Sequence, residues 1–432
     1  MDRLIYEDLL KWKSSKRRKP LIVKGVRQCG KTYILRRFGE ENYSDVAYFN
    51  FQGNPDLISI FEKDMDPYRI LDDLRLRYHQ SITKDTLIIF DEVQFCNAAL
   101  TSLKYFCEEA PEYHLICAGS LLGIMLSKPL SFPVGKVNFL SMYPMSFPEF
   151  IMAMNETKLY ERLKTMPKDE PVAEAFMTVL MRLYREYCFV GGMPEAVEAW
   201  VSTRDPEVIR EIHSEIVMSY ESDFAKHAPP DVVPKLNRIW ASIPEQLSKE
   251  NKKFLFGHAV KGARARDLED ALQWLIDAGL AYKVSVIYEP SIPLSAYADS
   301  SFFKLYYSDI GLLGAMARVP ASSLISGDER FREFKGGMTE NYVLTEMMAS
   351  LEGTPYYWRS GNKAEVDFVH MIGEAIVPIE VKSGFPKRMQ SMEVYIRGYD
   401  PEKAFVISEK NIRAGKLTFV PLPLVWNLEH YM

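Results

Sequence analysis

The sequence predicts an α/β chain built on a parallel sheet, with a helical unit and a second α/β unit after it. Three observations carry the prediction. Short apolar runs alternate with helical patterns from residue 1 to about 150. Strand signals then stop, and helical spacing takes over from 151 to 230. From 336 to 432 strands and helices return. Alternation of this kind favours parallel strands covered by helices, with ligands at the carboxyl ends of the strands.

The first candidate strands are Leu21–Lys24, Val46–Phe51, Leu87–Phe90, Leu115–Ala118 and Val137–Met142. Leu21–Lys24 runs into Gly25-Val26-Arg27-Gln28-Cys29-Gly30-Lys31-Thr32, which fits G-x-x-x-x-G-K-[ST] at every fixed position. A helical pattern, Tyr33–Phe38, follows. Glycines let such a loop wrap a phosphate with its N–H groups inward, and the helix N-terminus favours the negative charge. Lys31 is placed to reach the β- and γ-phosphates of ATP, and Thr32 to ligate Mg²⁺. Arg27 is either structural or a phosphate contact. The run Thr86–Glu92 is an apolar strand ending in two carboxylates. Asp91 is expected in the magnesium shell, and Glu92 to orient or deprotonate the attacking water. His114–Gly119 ends at Ser120, which either contacts the γ-phosphate or the water, or caps the next helix.

Composition bounds the partners. The chain has 432 residues, 47% hydrophobic and 26% charged, with net charge −5. Nucleic acid would therefore need a local basic patch. The run Lys11–Lys19 holds Lys16, Arg17, Arg18 and Lys19 and reads as a solvated loop. Five cysteines without a C-x-x-C pair argue against zinc and for reduced thiols. No segment approaches the roughly 20 apolar residues that span a bilayer, so the expectation is a cytoplasmic protein without a membrane partner.

The middle of the chain reads as a helical lid over 151–230 and a winged helix over 231–295. Val172–Val190 and Pro206–Lys226 carry helical spacing, and Gly191-Gly192-Met193-Pro194 breaks it. Leu236–Glu250 and Ala265–Ala278 read as helices, and Leu280–Tyr288 as a strand. Lys249, Lys252, Lys253, Lys261, Arg264 and Arg266 cluster there. They either contact DNA phosphates or decorate a winged helix that only packs. Residues 296–335 read as a linker.

The segment 336–432 carries a second chemistry. Thr339–Leu351 reads as a helix with Glu340; Tyr356–Arg359, Glu365–His370 and Ala375–Val381 read as strands. Period-2 geometry puts Glu380 and Lys382 on one face. Pairing of the last two strands as a hairpin would set Asp367 beside Glu380. Carboxylates of this kind hold Mg²⁺ or Mn²⁺, and metal plus Lys382 would activate water against a phosphodiester. Glu340 would add a ligand. The plainer alternative is a salt bridge between Asp367 and Lys382 on an exposed sheet face. Helix-Glu, strand-Asp, then E-x-K resembles the order of the PD-(D/E)xK nuclease fold.

As a whole the chain resembles bacterial and archaeal AAA-type ATPases with a C-terminal PD-(D/E)xK-like module. The resemblance rests on Gly25–Thr32, Leu87–Glu92, Ala118–Ser120, Tyr143–Phe150, Gly191–Glu195, Tyr306–Leu312, Glu365–Asp367 and Ile379–Ser383. It implies a five-stranded P-loop core, a helical lid and a winged helix. In related signal-transducing ATPases a G-x-P turn senses nucleotide, and Gly192-Met193-Pro194 is similar; otherwise it is a helix breaker. The expected function is Mg²⁺-dependent ATP hydrolysis coupled to a DNA-directed, nuclease-like domain. The alternative is a nucleotide-gated switch whose C-terminal domain only binds nucleic acid or a protein partner.

Overall fold

Six residues in a row, Thr86–Asp91, are buried along their whole length, as a strand covered on both faces must be. It is β3 of a five-stranded sheet formed with β1 (Leu21–Lys24), β2 (Asp45–Asn50), β4 (His114–Gly119) and β5 (Asn138–Ser141). The order is β2-β3-β4-β1-β5, and every pairing is parallel. One strand, β4, therefore separates β1 from β3, and the loops after β1 and β3 open at the same sheet end. The Phe90 ring anchors the core beneath, meeting Phe49, Phe51, Phe61 and Phe106 edge-on at 5.3–6.3 Å.

The computed structural model describes residues 1–120, 122–126, 135–325, 332–361, 364–384 and 389–432. The chain divides into two units, Met1–Tyr143 with Asp277–Gly279, and Pro144–Ile276 with Leu280–Met432. The division falls at Tyr143 rather than near 150. The expected solvated loop before β1 is in part the helix Ile5–Ser14, which buries Leu9 and Trp12. Those two residues lie three apart and share one helix face, a pattern too short to stand out among the charges.

The second unit begins all-helical, with Phe147–Ala153, Thr157–Thr165, Glu174–Val190, Pro194–Thr203 and Pro206–His227. Helices Val233–Leu247, Phe256–Ala259 and Ala265–Asp277 follow, then the antiparallel strands β6 (Ala281–Ile287) and β7 (Ala298–Tyr307). Residues 296–325 are not the expected linker. They hold β7 and the helices Ile310–Met316 and Ala321–Ile325; residues 326–331 lie outside the described part. The sequence of β7 misleads because Asp299-Ser300-Ser301 opens it with polar residues on an exposed stretch.

Beyond helix Arg332–Ser350 come β8 (Tyr356–Ser360), β9 (Ala364–Ile372), β10 (Ala375–Val381), β11 (Ala404–Ser408) and β12 (Leu417–Pro421). They do not form a sheet of their own. Val286 and Ile287 of β6 pair in parallel with Tyr357 and Trp358 of β8, giving one seven-stranded sheet, β12-β11-β10-β9-β8-β6-β7. Helix Gln390–Tyr399 makes the crossover between the parallel strands β10 and β11. No helix among the described residues is long and apolar enough to cross a membrane.

Candidate active site

The loop after β1 is held in shape by three devices. Gly30 sits at φ +94° as the N-cap of helix Lys31–Asn42, a left-handed conformation that glycine adopts freely. The Lys31 ammonium donates to the carbonyls of Gly25 at 2.8 Å and Val26 at 2.7 Å, so its charge lies over the loop backbone. Arg3 donates to the carbonyl of Cys29 at 2.7 Å and to that of Tyr143 at 2.6 Å, tying the loop to the chain beyond β5. Sequence reading misses Arg3, because nothing in its local pattern marks an arginine so far upstream. Cys29 is buried, Arg27 is half-buried and Gln28 lies on the surface at φ +64°.

The carboxylates after β3 reach the same loop. Thr32 Oγ1 donates to Asp91 Oδ2 at 2.6 Å, and the Tyr48 hydroxyl donates to the same oxygen at 2.8 Å. Burial and that bond push the Tyr48 phenol up to about 12, so it stays a donor. Glu92 N–H donates to Asp91 Oδ1 at 2.9 Å. Asp91 thus presents a fixed carboxylate beside a hydroxyl, and this oxygen-rich pair fits a hard divalent cation.

Glu92 takes φ +52°, a left-handed backbone that a glutamate adopts only when its surroundings impose it. Its Oε2 accepts from Gln94 Nε2 and, at 3.5 Å, from Ser120 Oγ at the end of β4. Ser120 is therefore directed at the Glu92 carboxylate. Gln94 is a further residue that sequence reading misses; its signal, a polar side chain two residues past the strand end, is too common to notice.

In the second unit the Gly191–Pro194 turn has a structural partner. Gly192 N–H donates to Asp309 Oδ2 at 2.6 Å, and Gly192 carbonyl accepts from Met145 N–H at 2.6 Å. A β-carbon at Gly192 would lie 2.0 Å from the Met145 carbonyl oxygen, so only glycine fits this approach. Asp309 also caps helix Ile310–Met316 through Leu312 N–H at 2.9 Å. Burial raises its carboxyl to about 6 against these bonds. Pro194 is the first residue of helix Pro194–Thr203, where its missing N–H costs nothing.

The C-terminal candidates do come together. Antiparallel pairing runs from Ala375↔Ile372 to Ile379↔Phe368, and Val381 N–H donates to Asp367 Oδ2 at 2.8 Å, so Glu380 follows beside Asp367. Lys382 Nζ lies 2.5 Å from Glu380 Oε1. Glu340 is also present, but paired: Lys252 Nζ binds its Oε1, Lys304 Nζ lies 3.6 Å from its Oε2, and the Tyr306 hydroxyl donates to Oε2 at 3.0 Å. Burial would raise Glu340, yet the ammonium groups of Lys252 and Lys304 outweigh it and hold the carboxyl down to about 2. Burial, Glu340 and Glu380 push Asp367 up to about 8.

This set does not fit the expected Mg²⁺ or Mn²⁺. Both oxygens of Glu340, Asp367 Oδ2 and Glu380 Oε1 already serve ammonium, hydroxyl and amide donors. Among the described residues no group of three or more His, Cys, Asp or Glu is placed to hold a metal ion. The expected phosphate-contacting patch also loses Lys252, whose side chain is 16% exposed and committed to Glu340. Lys249 pairs with Glu245 at 3.0 Å, and Lys253 lies over the Phe302 ring. Lys261, Arg264 and Arg266 are exposed.

No curated protein matches the chain. Among solved structures it is similar to a Walker-type ATPase of Pyrococcus abyssi, at 14% identity and TM-score 0.45, covering 73% of this chain and 95% of that one. The Aeropyrum pernix ORC1 protein, solved in complex with DNA, matches at 14% identity and TM-score 0.29, covering 74% and 91%. AMPPCP-bound DnaA of Aquifex aeolicus matches at 15% identity and TM-score 0.28, covering 64% and 87%. Two family models described as domains of unknown function, DUF8612 and DUF4143, match residues 181–323 and 335–425. A third, described as an AAA domain, matches residues 17–151. That segment contains the parallel sheet, the Gly25–Thr32 loop and the Asp91–Glu92 carboxylates, so the whole candidate site falls where the chain is similar to an AAA domain.

Proposed function

We propose that this chain is a Mg²⁺-dependent ATPase whose nucleotide state is coupled to a nucleic-acid-directed second unit. One observation carries the reading: the 2.6 Å bond between Thr32 of the loop and Asp91 of β3, with Glu92 next to it under Ser120 and Gln94. Backbone N–H groups of Gly25–Thr32 would take the phosphates, and Lys31 would exchange its loop carbonyls for phosphate oxygens. Thr32 and Asp91 would hold the magnesium, which neutralises charge building on the transferred phosphoryl group. Glu92 holds the position of general base for water. The test is ATP binding and turnover by purified protein with Mg²⁺. Lys31→Ala is expected to weaken ATP binding at least tenfold and to abolish turnover, since the lysine contacts the phosphates already in the ground state. Wild-type protein that neither binds nor hydrolyses ATP ends this reading.

The nucleic-acid direction is supported by the exposed Lys261, Arg264 and Arg266 at the start of helix Ala265–Asp277. Neutralising Lys261, Arg264 and Arg266 together is expected to flatten the log K against log salt plot for duplex DNA, by about 0.9 for each phosphate no longer neutralised. The change should be equal on unrelated sequences, because phosphate contacts carry no base information. A slope equal to wild type moves any DNA site elsewhere. The switch reading, in which the second unit binds without cutting, is favoured by the lysines seated among its carboxylates.

A further inference from the structure

Four carboxylates meet where three segments of the second unit touch. Glu340 comes from helix Arg332–Ser350, Glu365 and Asp367 from β9, and Glu380 from β10. Among the described residues four cations answer them: Lys252, Lys304 of β7, Arg359 of β8, and Lys382. Lys304 is central. It is 2% exposed, and its Nζ lies 2.8 Å from Glu365 Oε1, 3.6 Å from Glu340 Oε2 and 3.8 Å from Asp367 Oδ1. A bound cation would be expected in the centre of three carboxylates, and an ammonium group sits there. Lys252 takes the other oxygen of Glu340, and Arg359 lies 3.5 Å from Glu365 Oε2.

A divalent ion needs several oxygens at about 2.0–2.6 Å. To collect them here it would have to break two or more buried ion pairs. It would then lie beside the displaced ammonium groups in a medium that screens poorly. Among the described residues Glu380 Oε2 is buried without a hydrogen-bond partner, but a single oxygen makes no such site. The central lysine, moreover, is anchored in regular structure. Lys304 lies within the β6–β7 pairing, and Asn341, next to Glu340, bonds both the N–H and the carbonyl of Tyr307 at 2.9 Å.

We propose that Lys252 and Lys304 stand in place of a divalent cation, making this cluster a metal-free charge clamp between the 233–307 helix–hairpin segment and the C-terminal strands. It is then no hydrolytic centre, and Lys382 is fixed on Glu380 rather than available to a phosphodiester. The inference is independent of the nucleotide reading.

The test is a Mn²⁺ titration of the full-length protein without nucleotide, read by electron paramagnetic resonance, beside thermal melts. Wild type and Asp367→Asn should give superimposable Mn²⁺ isotherms. If Asp367→Asn does not fold, Glu380→Gln serves in its place. Lys252→Met should lower the melting temperature, because it strips a partner from buried Glu340. Adding Glu340→Gln should restore much of the loss, because the charge left without that partner is then gone. A Mn²⁺ site present in wild type and lost in the carboxylate variant overturns the proposal. So does a Lys252→Met protein that melts like wild type, or one that Glu340→Gln does not rescue.

Discussion

Glu92→Gln is expected to leave ATP binding unchanged and to lower turnover by about two to four orders of magnitude, the usual contribution of a general base. The substitution is nearly isosteric. The new amide oxygen can still accept from Gln94 Nε2 and Ser120 Oγ, the two donors that now hold Glu92 Oε2. The strained backbone at residue 92 therefore keeps its support, and Thr32 and Asp91 are untouched. What disappears is the capacity to take a proton from water, which matters only as reaction proceeds. Equilibrium binding of a fluorescent ATP analogue and single-turnover hydrolysis separate the two effects. Turnover within threefold of wild type would place the catalytic base elsewhere. Ser120→Ala should lower turnover less, since Gln94 still holds the carboxylate.

The second large effect concerns stability. Glu346 is 1% exposed, its Oε1 accepts from Phe147 N–H at 2.9 Å, and the Tyr187 hydroxyl lies beside the same carboxyl. Burial raises this carboxyl to about 8, against the hydrogen bonds from Phe147 and Tyr187. The folded protein thus keeps a proton that the unfolded chain releases near pH 4.5. Stability is undiminished below that pH and falls as pH rises toward 8. By pH 7 the loss is about 3 kcal/mol. Glu346→Gln keeps an acceptor for Phe147 and removes the ionisation. Its melting temperature should match wild type near pH 5 and exceed it increasingly from pH 6 to 8. Parallel melting curves for the two proteins across that range would show that Glu346 is not held neutral in the fold.

The first unit was legible because its signals are local. Gly25–Thr32 and Thr86–Glu92 each encode strand, turn and chemistry within a few residues. The supports of that site were not legible, because Arg3 and Gln94 are ordinary residues made relevant only by where the chain folds back. In the second unit the hairpin of β9 and β10 could be read from alternation, and with it the approach of Asp367 to Glu380. The lysines among them could not. Lys252 lies 88 residues from Glu340 in sequence, and its neighbours Lys249 and Lys253 made it look like part of a surface patch. A buried ion pair at that separation leaves no periodicity. The same is true of Asp309, 117 residues from the glycine turn that it holds.

The pairing of β6 with β8 makes the interval around residue 335 a poor place to divide this chain. Cutting there would leave β6 and β8 each with backbone groups that had bonded across Val286–Tyr357 and Ile287–Trp358. Trp358, nearly fully buried, would face water beside that raw edge. Fragments with such edges seek other strands, so a C-terminal piece made alone should self-associate rather than report its own ligand. In the intact protein the hairpin and the strands beyond it share one hydrogen-bonded lattice. Any displacement of the helices that carry the hairpin must therefore reach β8 through backbone bonds, without a hinge in between.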